Sequence, residues 1–228
     1  MRYLIAESSW ETMSLAHVLL EGGILLTRTD RPEDLFHFME CGNNDLIVLD
    51  AAQMSKSLRV SDLRARAGRT PVCLLARKPG HSQVAQWLDA GADLVIDMSE
   101  EPAEIAARLN AVARRRFGLC LPEVVYGDLH IDLAHHRVHV GNVTLSLSPK
   151  LYEILEYVAL RPGTLVTREE LLSHVYGLED EPAPRVFDVY MCNLRSQLAS
   201  VNDTVAIETV RGAGYRFDLL TQAEPMAA

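Results

Sequence analysis

The chain has 228 residues, of which 48% are hydrophobic and 23% charged, with a net charge of −9. That apolar content excludes a disordered chain and leaves room for more than one core. No apolar run approaches the roughly 20 residues that a membrane span requires, and the N-terminus Met1-Arg2-Tyr3-Leu4-Ile5-Ala6-Glu7 carries no signal-peptide pattern, so a cytoplasmic protein with no membrane partner is expected. Cys41, Cys73, Cys120 and Cys192 are widely spaced with no C-x-x-C, which points to reduced thiols rather than a disulfide framework or a zinc site.

In chain order, the first half alternates short apolar runs with amphipathic stretches. Strands are expected at Tyr3–Ala6, near Ile24–Thr27, and at Leu46–Leu49, Val72–Ala76 and Leu94–Ile96. Helices are expected between them at Trp10–Glu21, Pro32–Cys41, Val60–Ala67, Ser82–Ala90 and Pro102–Arg116, with Gly91 placed to end one of them. Continuous apolar strands separated by helices imply a parallel sheet covered on both faces. The segment Arg114-Arg115-Arg116-Phe117-Gly118-Leu119-Cys120-Leu121-Pro122 then reads as a linker.

Beyond it the pattern changes to short strands broken by turns, at Val124–Tyr126, Leu129–Asp132, Val138–Val140 and Val143–Leu147. Ser148-Pro149 supplies an N-cap followed by proline in the first helical turn, opening a helix to about Leu160. Thr167-Arg168-Glu169-Glu170 is a capping box that opens a second helix, Glu169–Tyr176. An acidic loop, Gly177 to Pro184, leads to a third helix, Arg185 to Leu198. On it Phe187, Met191, Leu194 and Leu198 form one apolar stripe, leaving Arg185, Val189, Cys192, Asn193 and Ser196 on other faces. The run Glu208-Thr209-Val210-Arg211-Gly212-Ala213-Gly214-Tyr215-Arg216-Phe217 closes the pattern as two strands around a Gly-x-Gly turn. A groove-sized helix followed by a hairpin tipped with Arg211 is the layout of a winged helix-turn-helix.

Such a helix can present Asn193 to an adenine edge and Val189 to a thymine methyl, with Arg185 and Arg195 on phosphates or guanine. The charge balance opposes strong nonspecific binding. Residues 1–119 carry 14 Lys/Arg against 16 Asp/Glu, a net of −2, and residues 120–228 carry 8 against 15, a net of −7. Any basic surface is therefore local, and affinity for arbitrary DNA is expected to be weak and salt-sensitive.

Four motifs, Leu147-Ser148-Pro149-Lys150-Leu151-Tyr152-Glu153-Ile154-Leu155, Val166-Thr167-Arg168-Glu169-Glu170-Leu171-Leu172, Asp188-Val189-Tyr190-Met191-Cys192-Asn193-Leu194-Arg195 and Thr209-Val210-Arg211-Gly212-Ala213-Gly214-Tyr215-Arg216-Phe217, make residues 124–219 resemble the effector domain of OmpR/PhoB-type response regulators. The resemblance implies double-stranded DNA as partner, with contacts at Arg168, Arg185, Val189, Cys192, Asn193, Arg195 and Arg211. It also implies an RNA polymerase contact through Gly177–Pro184. Cys192 and Asn193 stand where many members of that family carry basic residues. Cys-Asn-Leu-Arg with Ile207-Glu208-Thr209-Val210 downstream is also similar to cell-cycle regulators of the CtrA type.

The half ahead of this domain resembles a receiver, a flavodoxin-like α/β domain with a five-stranded parallel sheet. Leu46-Ile47-Val48-Leu49-Asp50 resembles its third strand, ending in the phosphoacceptor Asp50. The resemblance implies an acidic pair where Glu7 and Ser8 stand, a hydroxyl at Ala76, a lysine at Met98 and a proline at Ser99. Phosphoryl transfer needs carboxylate ligands for Mg²⁺ and a cation for the phosphoryl oxygens. The reading is therefore a pseudo-receiver that acts without aspartyl phosphorylation and without Mg²⁺, in which Asp50 is a partly solvated carboxylate at a strand end. Its remaining purpose is expected to be homodimerisation, on a face where Asp93, Glu104 and Arg108 match charged positions and Leu94 replaces an acidic one. The expected division is a receiver-like domain at 1–117, a linker at 118–123, a winged-helix domain at 124–220 and a tail at 221–228.

Rival readings are a phospho-switched regulator using Asp50, and an interaction module that has lost DNA binding. The absence of G-x-S-x-G, P-loop and G-x-G-x-x-G motifs speaks against an enzyme. His130, His135, His136 and His139 crowd one strand region, but solvated turn histidines account for them and no metal site is expected.

Overall fold

The computed structural model describes residues 1–7, 9–54, 58–177, 184–201 and 203–220. The chain divides into two compact units, Met1–Cys120 and Leu121–Ala228.

The first unit runs β1 (Arg2–Ala6), α1 (Trp10–Glu21), β2 (Leu25–Thr29), α2 (Leu35–Cys41), β3 (Leu46–Asp50), α3 (Val60–Ala67), β4 (Val72–Ala76), α4 (His81–Asp89), β5 (Leu94–Asp97) and α5 (Pro102–Arg115). Its five strands are parallel in the order β2-β1-β3-β4-β5, the flavodoxin-like winding expected from the alternation of elements. Every residue of β1, β3 and β4 is buried, which is why these strands read as unbroken apolar runs. Side chains alternate between the two faces. Leu4, Ile47, Leu49, Val72 and Leu74 share one core with Leu35 and Leu63 of α2 and α3. Tyr3 points the other way, where its hydroxyl donates to Asn110 Oδ1 of α5 at 2.8 Å.

Two local expectations change. The stretch Pro32–Cys41 is a 3₁₀ turn at Pro32–Asp34 followed by α2. Asp34 N bonds to Arg31 O, and Asp34 offers no side-chain cap to extend an α-turn backwards. β2 runs on to Thr29 because its pairing with β1 continues to Ala6↔Thr29.

The second unit opens with an antiparallel meander of β6 (Glu123–Tyr126), β7 (Leu129–Asp132), β8 (Arg137–Val140) and β9 (Val143–Leu145). Then follow α6 (Pro149–Ala159), β10 (Leu165–Thr167), α7 (Arg168–Tyr176), α8 (Val186–Gln197), β11 (Val205–Val210) and β12 (Gly214–Leu219). Ser148 caps α6 through Leu151 N, with Pro149 in its first turn. Both halves of the Thr167/Glu170 capping box are formed. The short strand β10 was not expected. It pairs with β12 and makes the wing a three-stranded sheet, β10-β12-β11. Phe187, Met191, Leu194, Leu155 and Phe217 are fully buried, and burying each such side chain stabilises the unit by about 1.5–3 kcal/mol.

The two wing glycines do different work. Gly212 has φ +74 and nothing within 4 Å of an added Cβ, so it serves backbone conformation alone. A Cβ on Gly214 would lie 2.1 Å from the backbone oxygen of Val166 on β10, so this glycine permits strand contact. Gly212→Ala is expected to cost about 1 kcal/mol and Gly214→Ala about 2–4 kcal/mol. Urea denaturation of the two variants beside the unmodified chain checks the order, and equal costs would sink the close-approach argument.

Candidate nucleic-acid interface

The third helix of the second unit turns its apolar stripe inward. Phe187, Met191 and Leu194 are 0% exposed and Leu198, its C-cap residue, 4%. The opposite face is left bare: Val189 is 62% exposed, and Cys192, Asn193 and Ser196 are exposed beside it. Arg185 is the N-cap residue of α8 rather than its first turn, with no side-chain cap bond. Arg211 stands in the exposed turn between β11 and β12, closed by Ala213 N to Val210 O. Neither the Arg185 nor the Arg211 side chain makes a hydrogen bond or ion pair among the described residues, though, after the Tyr215 hydroxyl and the Arg168 guanidinium, the Arg185 charge helps hold the Asp188 carboxyl below its ordinary value.

The other basic residues expected at the interface are engaged within the unit. Arg195 Nε donates to Ile207 O and its Nη2 to Thr209 Oγ1, both at 2.7 Å. Its guanidinium braces α8 against β11 while the residue stays exposed. Arg168 Nη2 donates to Asp188 Oδ1 at 2.8 Å, with its guanidinium 5.0 Å from the centre of the Tyr215 ring. Arg216 pairs with Glu208 at 2.9 Å and Asp218 at 2.8 Å. Arg168 and Arg216 are thus neutralised by carboxylates within the unit and Arg195 is tied to neutral acceptors, while Arg185 and Arg211 stand exposed at the ends of the face.

Asp188 joins three elements. Its Oδ1 accepts from Arg168 of α7 and from the Tyr215 hydroxyl of β12, while Asp188 itself lies in the first turn of α8. A carboxylate there also suits the positive end of the helix dipole. The reading helix and the wing are therefore held at one setting by Asp188 at one end and Arg195 further along. Sequence reasoning missed Asp188, Thr209 and Tyr215 as positioning residues. The signal available was that Asp188 and Tyr215 both fall inside the matched motifs. On the inner side, Lys150 Nζ donates to Val175 O at 2.9 Å, and the Tyr176 and Tyr190 hydroxyls meet at 3.1 Å, which tie α6 to α7 and α7 to α8.

The receiver-like site is rearranged more deeply. Asp50 does end β3, but it is 6% exposed, not partly solvated. Its Oδ1 accepts from Ala52 N at 2.8 Å and so caps the 3₁₀ turn Ala51–Gln53. Glu7 is gripped at both oxygens by Arg28 of β2, a pair that raises the arginine above its ordinary value. Ser8 lies outside the described residues. Ala76 and Met98 are buried, at 5% and 7% exposure. Mg²⁺ demands several oxygen ligands. With Glu7 bound to arginine and Asp50 turned partly to its own backbone, the donor set does not fit the ion. Among the described residues no group of three or more His, Cys, Asp or Glu can hold a metal.

On the expected dimer face, Asp93 is exposed and pairs with Arg64 of α3 at 2.9 Å while accepting from Val72 N at 2.7 Å. Arg108 pairs with Glu104 at 2.7 Å and with Glu100 at 3.2 Å. Leu94 is half-buried on β5, the edge strand of the sheet. The RNA polymerase segment Gly177–Pro184 has only its two end residues described; residues 178–183 fall outside the described residues.

The Asp188 knot has a pH signature. The Tyr215 hydroxyl, and after it the Arg168 guanidinium, hold the Asp188 carboxyl below its ordinary value of 3.8. Burial first, and then the bond to Asp188, push Tyr215 up to about 12. A carboxyl lowered in the folded state contributes its stabilisation in full above its ordinary value and loses it as pH falls through the folded value. The stability gap between the natural chain and Asp188→Asn should therefore be constant from neutral pH to about 4 and close below it. Urea denaturation over that range reads it, and a gap unchanged in acid would mean the knot contributes nothing.

The family model described as "Transcriptional regulatory protein, C terminal" matches residues 142–217. The cell cycle response regulator CtrA of Brucella anthropi is 32% identical over 215 residues, covering 93% of this chain and 93% of that one. Among solved structures, the response regulator DrrB, an OmpR/PhoB homologue of Thermotoga maritima, is 24% identical, covers 95% of this chain and 98% of its own, and has a TM-score of 0.43. The Klebsiella pneumoniae RstA DNA-binding domain in complex with its RstA box is 29% identical over 42% of this chain and 96% of its own, with a TM-score of 0.38. With a receiver-like sheet in its first unit and a winged helix in its second, and with CtrA related along nearly its whole length, the chain belongs to the OmpR/PhoB-type response regulators.

Proposed function

We propose that this chain is a sequence-directed DNA-binding transcription regulator, not an enzyme, that acts in the cytoplasm without aspartyl phosphorylation or bound Mg²⁺ and pairs through its receiver-like unit. The observation that carries the reading is the bare face of α8, set against the wing by Asp188 and Arg195 and flanked by the exposed Arg185 and Arg211. In the major groove, Asn193 offers an amide matched to the adenine N6 and N7 edge, and Val189 offers a methyl surface for thymine. Arg211 is placed at a wing tip to meet a phosphate or a minor groove. The loop Gly177–Pro184 is the place for an RNA polymerase contact. No helix among the described residues is long and apolar enough to cross a membrane, in keeping with a cytoplasmic site of action.

Independence from phosphorylation is supported by the Glu7–Arg28 pair and by the alanine and methionine at positions 76 and 98. Each charge-assisted hydrogen bond contributes roughly 1.5–3 kcal/mol, so an acyl phosphate lacking both lysine and metal has little to hold it. Pairing is supported by the edge strand β5. Its Leu94 is joined on α4 by Leu88, which is 43% exposed, while Asp93 and Arg108 are already neutralised within the unit. A symmetric pair would match two DNA half-sites.

Arg211→Ala and Asn193→Ala should each weaken specific DNA binding by about 1–3 kcal/mol, and the first should reduce the salt slope by about one. Selection of genomic fragments by the untreated protein supplies the target sequence for these titrations. No loss in either variant would favour an interaction module in place of a DNA reader.

Incubation with a small phosphodonor and Mg²⁺ should leave the intact mass unchanged. A stoichiometric adduct of about 80 Da that disappears in Asp50→Ala would establish the phospho-switched reading instead. Leu94→Glu should shift the protein from dimer to monomer in light scattering, and an unmoved mass would place pairing elsewhere.

A further inference from the structure

The meander that opens the second unit carries a histidine pair on its outer face. Leu129, Ile131 and Val138 are buried, while His130 is exposed and His139 half-buried. Alternation along the strands therefore sets both imidazoles on the face away from the core. The register places His130 of β7 directly opposite His139 of β8, and His139 in turn opposite Thr144 of β9. A cavity of about 500 Å³ opens on this face, with Glu123, His130, Asp132, His135 and His139 among its walls. Among the described residues no lysine or arginine lines it. Arg137, opposite Asp132 in the register, is exposed outside the lining.

Four histidines crowd this region in sequence, and the structure separates them. His136 turns onto the Tyr152 ring, with ring centres 4.9 Å apart. His135 Nδ1 lies 2.7 Å from Asp132 Oδ2. Asp132 Oδ1 accepts from Ala134 N at 2.9 Å and from His135 N at 3.0 Å, so that ring and that carboxylate are committed to their own turn. His130 makes no side-chain hydrogen bond or ion pair among the described residues. His139 Nδ1 lies 3.0 Å from Thr144 Oγ1. With the ring N–H donating to the hydroxyl, Nε2 keeps its lone pair for a ligand, and metal-bound histidines are usually steadied in this way. The turn histidines are thus engaged elsewhere, and the two strand histidines face each other.

Residues directly opposite in an antiparallel pair have Cβ atoms about 4.5–5.5 Å apart. Two imidazole nitrogens on one tetrahedral ion stand about 3.3 Å apart at ordinary metal–nitrogen lengths. Side-chain rotation alone can therefore bring this pair onto one metal. Among the described residues no group of three or more His, Cys, Asp or Glu can hold a metal, so the pair supplies two ligands and leaves the other positions to water. Imidazole suits Zn²⁺ and Cu²⁺, whereas Mg²⁺ and Ca²⁺ take oxygen ligands. The carboxylates of Glu123 and Asp132 beside the pair draw a cation into the cavity.

We propose that His130 and His139 chelate one divalent transition-metal ion, Zn²⁺ or Cu²⁺, at an open two-histidine site on the outer face of the meander. The site uses none of the residues assigned to DNA, so its failure would leave the DNA reading standing.

The chain has eight histidines. In protein carrying ring-labelled histidine, the signals of His130 and His139 are assigned by their loss in His130→Asn and His139→Asn. Zn²⁺, Cu²⁺ and Mg²⁺ are each added alone to about 1 mM, which fills most of a site with a dissociation constant of about 0.1 mM. Zn²⁺ should shift the His130 and His139 signals together and saturably. Cu²⁺ should broaden the same two signals first, and a chelator should restore both. Each variant removes one arm of the chelate. His130→Asn should therefore weaken the response of His139 at least about tenfold, and His139→Asn that of His130 likewise. Both positions face outward, so the thermal transitions of the variants should match that of the natural chain. The proposal is overturned if neither signal responds to Zn²⁺ or Cu²⁺, if each histidine responds alike whether or not the other is present, or if Mg²⁺ reproduces the response.

Discussion

The carboxylate of Asp188 is the constraint on which the second unit's function depends. It lies at the start of α8, receives the Arg168 guanidinium from α7, and receives the Tyr215 hydroxyl from β12. A reading helix is useful only if its outward residues meet base edges within a fraction of an ångström, and a helix packed through Phe187, Met191 and Leu194 alone could still slide along its stripe. Apolar packing is non-directional, whereas hydrogen bonds at two points along the helix fix both its rotation and its position. Arg195 supplies the second point through Ile207 and Thr209. The exposed positions Val189, Cys192 and Asn193 are thereby held in place without making any of the holding contacts themselves.

The two units contrast in how their polar groups are used. In the second, charged residues build a frame and leave a bare face. In the first, the carboxylates at the receiver-like site are taken up by partners within the unit. Glu7 is held by Arg28, and Asp50 caps its own turn. Alanine and methionine fill the positions where a hydroxyl and a lysine would complete the chemistry. These changes are mutually consistent. Arg28 from the neighbouring strand takes up the charge of Glu7. The sheet itself is held by the buried apolar residues of β1, β3 and β4, so its packing does not depend on which side chains occupy the site positions.

What was readable in the sequence was local or periodic. The Thr167/Glu170 box and the Ser148-Pro149 start depend on residues within one turn of each other, and both form where the pattern placed them. The stripe on α8 and the apolar strands of the first unit follow from periodicity of burial. What was missed depends on partners distant in sequence. β10 is three residues long and becomes a strand only because Gly214 lets β12 approach it closely. Arg195 and Arg168 looked available because their acceptors lie on strands and helices well removed along the chain. Asp50 looked half-solvated because strand-end position says nothing about what the following turn covers. The motif residues themselves gave the family, but not which of them would touch DNA and which would hold the others.

The internal pairing of cations also resolves how a unit with a net charge of −7 over residues 120–228 can read DNA. Nonspecific affinity scales with the number of phosphates neutralised, and Arg168, Arg195 and Arg216 are already committed to acceptors within the fold. Little remains for arbitrary sequence beyond Arg137, Arg185 and Arg211. Base-edge contacts then make up a larger share of the total binding energy than they would on a basic surface. Discrimination depends on the ratio of specific to nonspecific binding rather than on affinity alone. An acidic DNA-binding domain with few free cations therefore gives up absolute affinity and gains in that ratio.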